Sequence, residues 1–199
     1  MIDFMSTSHV TKNALARSLK QLMKQTPINK ITVKMVTDTC GVTRHTFYNH
    51  FHDVYDLLKW IFENEVIEEL DQCCSLNNWK TGLVLVLQYT MDNKTICINT
   101  TKSLGREHLE VFLCKIFTKV LEGVIKDITR EMNVEEKIKK ETAVFFSYAI
   151  TGQFLEWINT GLKEKKEDIA DRVERMLGGT ILRIMKVNDR KTTSLIYNA

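Results

Sequence analysis

The chain has 199 residues, 44% hydrophobic and 27% charged, with one proline and eight glycines, which is too little turn punctuation for a sandwich or barrel of many short strands. That length supports a sizeable core, and an all-α fold is expected. The formal charge of +3 is uneven, since residues 1–60 hold eight Lys or Arg against four Asp, together with four of the five histidines. Such an excess points to an acidic partner for that third, nucleic acid being the commonest.

The first residues lack the basic stretch and long apolar run of a secretory signal, and the longest apolar run is Leu83 to Leu87. A cytoplasmic protein with no membrane partner is expected. Five cysteines without a CxxC pair suggest neither a disulfide framework nor a zinc site, so adjacent Cys73 and Cys74 read as inert buried thiols.

From Thr11 to Lys24 the residues Ala14, Leu15, Ser18, Leu19, Leu22 and Met23 recur at three and four, the mark of an amphipathic helix. Thr26 and Pro27 end it. Thr32 is a good N-cap for a short second helix carrying Val33, Val36 and Thr37, which stops near Cys40 and Gly41. Gly41 suits a left-handed turn. Thr43 then caps a third helix expected to run through Phe51, with Phe47 and Phe51 four apart on one face and His45 and Asn49 turned away from it. Asp53 caps a long helix with Val54, Leu57, Leu58, Ile61, Phe62, Val66 and Leu70 on its apolar side.

After a break at residues 75–78, helices are expected near 79–92, 94–101 and 106–131. The run "LVLVL" alone fits a buried strand, but its flanks favour helix. Two further helices, near 134–160 and 167–187, contain Gly152 and the pair Gly178–Gly179. An interior glycine costs about 1 kcal/mol relative to alanine, so each marks either a close helix approach or a local kink. The tail from Asn188 is polar and expected to fray.

Residues 32–51 therefore read as helix, glycine turn and helix inside a three-helix arrangement, the geometry of a helix-turn-helix. The second helix of such a motif enters the major groove led by its N-terminal residues, here Thr43, Arg44 and His45. The guanidinium of Arg44 has the fork that grips guanine O6 and N7, and His45 donates or accepts. Thr46 and Tyr48 can donate to phosphates.

The string "VTRHTFYNHF", with "ITVKMVTDTCG" before it and "DVYDLL" after it, closely resembles the TetR family of transcriptional regulators over residues 11–62. The resemblance implies that Thr43, Arg44 and His45 read bases, that Thr32, Thr46, Tyr48 and His50 hold phosphates, and that Phe47 and Phe51 pack. The family usually carries a lysine at the start of its fourth helix, where this chain has Val54, leaving that contact absent or supplied by His52, Tyr55 or Lys34. The C-terminal part is similar, more weakly, to a subgroup described as dihydroxyacetone kinase regulators, through "FYNHFHDVYDLLKWIF" and "YAITGQFLEWINTGLKEKKEDIADRV".

The expected architecture is a helix-turn-helix DNA-binding domain over residues 1–52 and a helical regulatory and dimerisation domain over 53–199. The resemblance implies a homodimer formed by the last two helices through Phe154, Trp157, Ile158, Val173, Met176, Leu177, Ile181 and Ile184, reading a palindromic double-stranded DNA operator. A small-molecule effector or regulatory partner protein would be held by the C-terminal bundle. The candidate pocket residues are Leu87, Met91, Phe112, Ile116, Phe145 and Tyr148, most of which read equally well as plain core.

His45, His50, His52 and Asp53 form the one cluster with metal-ligand chemistry, but gaps of five and two do not stack imidazoles on a helical face as a gap of four does, so no metal is expected. No phosphate-binding loop, nucleophile elbow or other catalytic constellation is present in the sequence; no enzyme activity and no cofactor are expected. The competing reading is a helical adaptor that binds proteins without DNA.

Overall fold

Apolar periodicity decides most of the architecture. In the computed structural model, which describes residues 4–103 and 105–190 (side chains of 4–7 and 67–69 excepted), every regular element among the described residues is helical. The helices are α1 (Phe4–Met23), α2 (Val33–Cys40), α3 (Arg44–Tyr48), α4 (Val54–Leu70), α5 (Trp79–Asp92), α6 (Lys94–Thr101), α7 (Gly105–Ile128), α8 (Glu136–Asn159), α9 (Lys166–Leu177) and α10 (Thr180–Val187). Short 3-10 turns occupy Ile28–Lys30 and Asp71–Cys73. Among the described residues no helix is long and apolar enough to cross a membrane.

α1 starts seven residues before the expected Thr11, because the residues ahead of its apolar stripe carry no periodic signal yet contain no helix breaker. α3 stops at Tyr48 rather than Phe51, although the Phe51 amide still donates to the Phe47 carbonyl at 3.0 Å. The largest departure is at the C-terminal end, where one expected helix is two. Gly178 leaves the helical region at ψ 114° and Gly179 takes φ 74°, so the chain turns between α9 and α10. At that pair the kink explains the glycines. Gly152, by contrast, continues α8 without a break and meets nothing within 4 Å on its Cβ side. The expected polar tail lies, from residue 191 onward, outside the described residues.

The chain forms two compact units: Met1–Glu65 with Asn93–Phe112, and Val66–Asp92 with Leu113–Ala199. The first contains the whole of 1–52 and adds most of α4, α6 and the start of α7. Its core gathers Leu15, Leu19, Met23, Val36, Phe47, Leu57, Leu58, Ile61 and Phe62, all closed to solvent. The second unit is built on α5, α7, α8 and α9, with Leu87, Leu113, Ile125, Ala143, Phe154, Ile158 and Ile169 at its centre. Between α7 and α8 runs a part-buried polar seam, with the Thr118 and Ser147 hydroxyls 2.9 Å apart and the Cys114 thiol 3.4 Å from the Thr151 hydroxyl. Every polar group in that seam has a partner, which removes the cost of burying it.

Of the adjacent thiols expected to be buried, Cys73 is and Cys74 is half-buried; Cys97 is buried, and Cys40 and Cys114 are half-buried. Burial pushes the Cys97 thiol up to about 12. Burial is also the main reason that the Cys74 thiol lies above its ordinary value, and that thiol donates to the Leu70 carbonyl at 3.4 Å. Neither is held as a thiolate nucleophile.

Candidate nucleic-acid interface

Two threonine caps and one glycine shape the α2–α3 region. The Thr32 hydroxyl accepts from the Met35 amide at 3.3 Å and starts α2. Gly41 closes it at φ 73°, a left-handed conformation that an L side chain resists by about 1 kcal/mol or more. The Thr43 hydroxyl accepts from the Thr46 amide at 3.1 Å and lies 2.9 Å from the Thr46 hydroxyl, so α3 starts from a closed cap. Each hydroxyl that accepts from an amide keeps its own proton for another acceptor.

Below this surface, aromatic packing holds α3. Phe47 is its one buried residue, with its ring 5.9 Å from that of Phe51, and Phe51 in turn meets Trp60 of α4 at 5.9 Å. Trp60 stood outside the expected α4 stripe; an indole offers an apolar body even at a flank position. The Lys12 ammonium sits 5.9 Å over the Phe51 ring, tying α1 to the same cluster. On the outer side Thr43, Arg44 and His45 are exposed, Thr46 and His50 are half-buried, and Tyr48 is 57% exposed with its ring edge-on to Phe47 at 5.6 Å. The residues expected to read bases therefore share one accessible end of α3, with Thr46 and Tyr48 following them along the helix.

The start of α4 is different in kind. Val54 is only 8% exposed and belongs to the core. Asp53 caps the helix by accepting from the Tyr55 and Asp56 amides, both at 2.8 Å. Of the three residues that could replace the family's lysine, Tyr55 is half-buried and stacks on His108 at 5.6 Å, its phenol held above the ordinary value first by burial and then by Asp53. The His52 side chain is 98% exposed, with its ring nitrogen 3.2 Å from Asp56, and exposed Lys34 pairs with Asp38 at 2.6 Å. Both outward groups thus lie beside a carboxylate. Among the described residues no group of three His, Cys, Asp or Glu side chains could hold a metal ion.

The residues expected at an effector pocket separate. Leu87, Phe112 and Ile116 are packed away from solvent, whereas Met91, Phe145 and Tyr148 stand exposed. Ile116, but none of the other five, lines an apolar void between Trp79, Leu83, Phe117 and Ile150. That void measures about 10 Å³, the space of a single water. A surface groove of about 400 Å³ lies beside the α9–α10 break, lined by Trp79, Val124, Asp127, Leu177, Ile181 and Leu182 among others.

The residues expected at a dimer interface mostly face inward. Phe154, Trp157, Ile158, Val173, Leu177 and Ile181 are buried in the second unit's own core, where Phe154 packs on Phe117 at 5.7 Å and the Trp157 indole donates to the Glu164 carbonyl at 2.9 Å. Met176 is exposed and Ile184 half-buried. Periodicity placed these side chains on apolar faces but could not say which face met the chain's own core.

Residues 77–179 match the TetR_C_8 family, a transcriptional regulator C-terminal region. The chain belongs to the TetR family of transcriptional regulators. The proteins it resembles are transcriptional regulators, not enzymes. A curated relative, the HTH-type dhaKLM operon transcriptional activator DhaS of Lactococcus lactis subsp. lactis (strain IL1403), is 33% identical over 90 residues, 45% of this chain and 48% of that protein. The chain thus spans about half the length of this curated relative. Among solved structures, the dihydroxyacetone kinase operon activator DhaS covers 90% of this chain and 98% of its own at a TM-score of 0.68 and 24% identity. RolR (NCGL1110) without ligand covers 87% and 96% at a TM-score of 0.56 and 18% identity. At these identities the two structures establish the shared fold.

Proposed function

We propose that this TetR-family chain is a sequence-specific DNA-binding regulator that acts as a homodimer on a palindromic operator. Residues 1–52 would form the reading domain, and a small molecule or partner protein held by 53–199 would tune it. The observation that carries this reading is the two-sided α3: Phe47 is closed inside while Thr43, Arg44, His45 and Tyr48 lie along its accessible side. Arg44 and His45 would read base edges, with Thr43 beside them, and Thr32, Thr46, Tyr48 and His50 would hold phosphates.

A dimer suits this reading because one short helix makes few base contacts, and two related by a two-fold axis read half-sites about 34 Å apart. For the contact we favour the outer face of α8, where Val144, Phe145, Tyr148 and Ala149 are exposed in front of Gly152. Phe145 is 69% and Tyr148 60% exposed, an unusual concentration of aromatic surface on one helix. The open side of Gly152 supports close approach by another helix, which its own chain does not supply. An effector would find room in the α9–α10 groove, since sites for small molecules commonly measure ~300 to 1,000 Å³.

Selection of bound sequences from random duplex DNA tests the reading, and its products define the operator. On that operator Arg44→Ala is expected to lose about 1–3 kcal/mol and relax the preference at one base position, whereas Tyr48→Phe weakens all duplexes alike. Arg44→Ala binding with unchanged affinity and preference would remove the base-reading assignment. An adaptor that binds proteins only would show DNA affinity that barely falls as salt rises.

A further inference from the structure

Two threonines at the head of α3 share a proton. The Thr43 hydroxyl oxygen accepts from the Thr46 amide at 3.1 Å, and the two hydroxyl oxygens lie 2.9 Å apart. Elsewhere a helical threonine gives its proton back to its own helix: Thr37, Thr39, Thr90, Thr100, Thr101 and Thr142 each donate to a backbone carbonyl three or four residues earlier. Among the described residues neither Thr43 nor Thr46 does so. Thr43 is exposed and Thr46 half-buried, so a proton left over by the pair has an outlet at the accessible end of α3.

Counting protons and lone pairs limits what the pair can offer. Each hydroxyl brings one proton and two lone pairs. The mutual bond takes one proton, so one is left. If Thr43 donates to Thr46, then Thr46 keeps the free proton. Thr43, its proton committed and one lone pair filled by the amide, can then only accept. If Thr46 donates to Thr43, both Thr43 lone pairs are filled, Thr43 keeps the free proton and Thr46 can only accept. A phosphate accepts and does not donate, so a phosphate beside Thr46 admits the first arrangement alone. There the bonds run one way, from the Thr46 amide through the Thr43 and Thr46 hydroxyls to the phosphate, and each polarises the next.

We propose that Thr43 and Thr46 act on DNA as one unit: Thr46 gives the pair's free proton to a phosphate, and Thr43, left as an acceptor, selects a base that presents an amino group in the major groove. The inference rests on the regulator reading above. Adenine offers N6 and cytosine N4 as donors there, whereas guanine and thymine present only acceptors and a methyl group along that edge. Arg44 carries donors only and makes the opposite choice. Neighbouring residues at the head of α3 therefore ask for an amino group and for a guanine.

The full-length wild type, Thr43→Gly and Thr46→Val are each used to select duplexes from a random pool. Glycine is a gentle replacement at an N-cap, so Thr43→Gly is expected to fold and to lose preference at one base position in each half-site. The wild type is expected to fill that position with adenine or cytosine, favoured over guanine or thymine by about 5-fold, as for one neutral hydrogen bond. Thr46→Val frees the Thr43 proton, so this variant is expected to bind more weakly and to take guanine or thymine there nearly as well. A Thr46 that touched phosphate independently of Thr43 would, when replaced, weaken all duplexes alike. An unchanged base preference in Thr46→Val therefore overturns the proposal, as does a wild-type guanine or thymine at the Thr43 position, or a Thr43→Gly that relaxes no position. Should either variant fail to fold, the wild type decides: each adenine and cytosine of the half-site is replaced in turn by purine or 2-pyrimidinone, which lack the amino group. Affinity unchanged throughout overturns the proposal, and a loss of about 5-fold beside the guanine that Arg44→Ala relaxes upholds it. A wild type that selects no duplex overturns the regulator reading and this inference with it, whereas a selected operator with the wrong base preference overturns the inference alone.

Discussion

Phe47→Ala is expected to destabilise the first unit by about 3–5 kcal/mol, the range for deleting a fully buried phenyl ring. Typical domains are stable by only ~5–15 kcal/mol, so the loss is a large fraction of the total. The local consequence is sharper still. α3 has five residues and one buried side chain, Phe47, which touches the rings of Tyr48 and Phe51. A helix that short does not persist in water without tertiary anchoring. Specific operator binding should disappear at concentrations where Arg44→Ala still binds. Phe47→Leu keeps much of the volume and should cost less than half as much. Urea unfolding of the three chains checks the order; a Phe47→Ala midpoint within experimental error of wild type would refute the anchoring role.

Gly152→Leu and Phe145→Glu, on the outer face of α8, are expected to weaken self-association by about 100-fold or more, as substitutions at the centre of an interface do. Their effects on the isolated protomer should differ. Gly152 meets nothing within 4 Å and lies inside a 24-residue helix, so leucine there removes a helix-propensity penalty of about 1 kcal/mol. Phe145 already faces solvent, and glutamate suits an exposed helix position. Both variants should therefore keep or raise protomer stability while losing the dimer, a separation that core residues such as Phe154 or Trp157 cannot give. Sedimentation over a concentration series, beside chemical denaturation, reads the two quantities. A wild type that stays monomeric at micromolar concentration, or a Gly152→Leu dimer as tight as wild type, would exclude this face.

Local signals carried much of the architecture. The caps at Thr32, Thr43 and Asp53, the turn at Gly41 and the α4 stripe were legible because each depends on residues a few positions apart. The inward placement of Phe47 and Phe51 followed from a four-residue gap on a single helix. What escaped was long-range or relational. Leu87 and Phe145 are both apolar positions of predicted helices, but one is sealed in the second unit and the other faces solvent; periodicity identifies a face without naming what covers it. The division of the last helix at Gly178–Gly179 turned on backbone torsions that a paired glycine permits but does not require. Asn99, whose side chain bonds Met23, Thr26 and Ile28, carried no local signal, since its partners lie more than seventy positions earlier.

The buried Val54 leaves α4 without a cation at its outer end, and the carboxylates of Asp53 and Asp56 there are engaged by backbone amides. Each phosphate neutralised by a protein cation contributes about 0.9 to the slope of log affinity against log salt on duplex DNA. One such contact fewer in each protomer makes the slope of the proposed dimer shallower by about 2. Hydrogen bonds from α2 and α3 would then carry a larger share of operator affinity. A regulator built this way still releases its operator as salt rises, but less steeply than one that carries the lysine, so a drift in ionic strength moves its set point less.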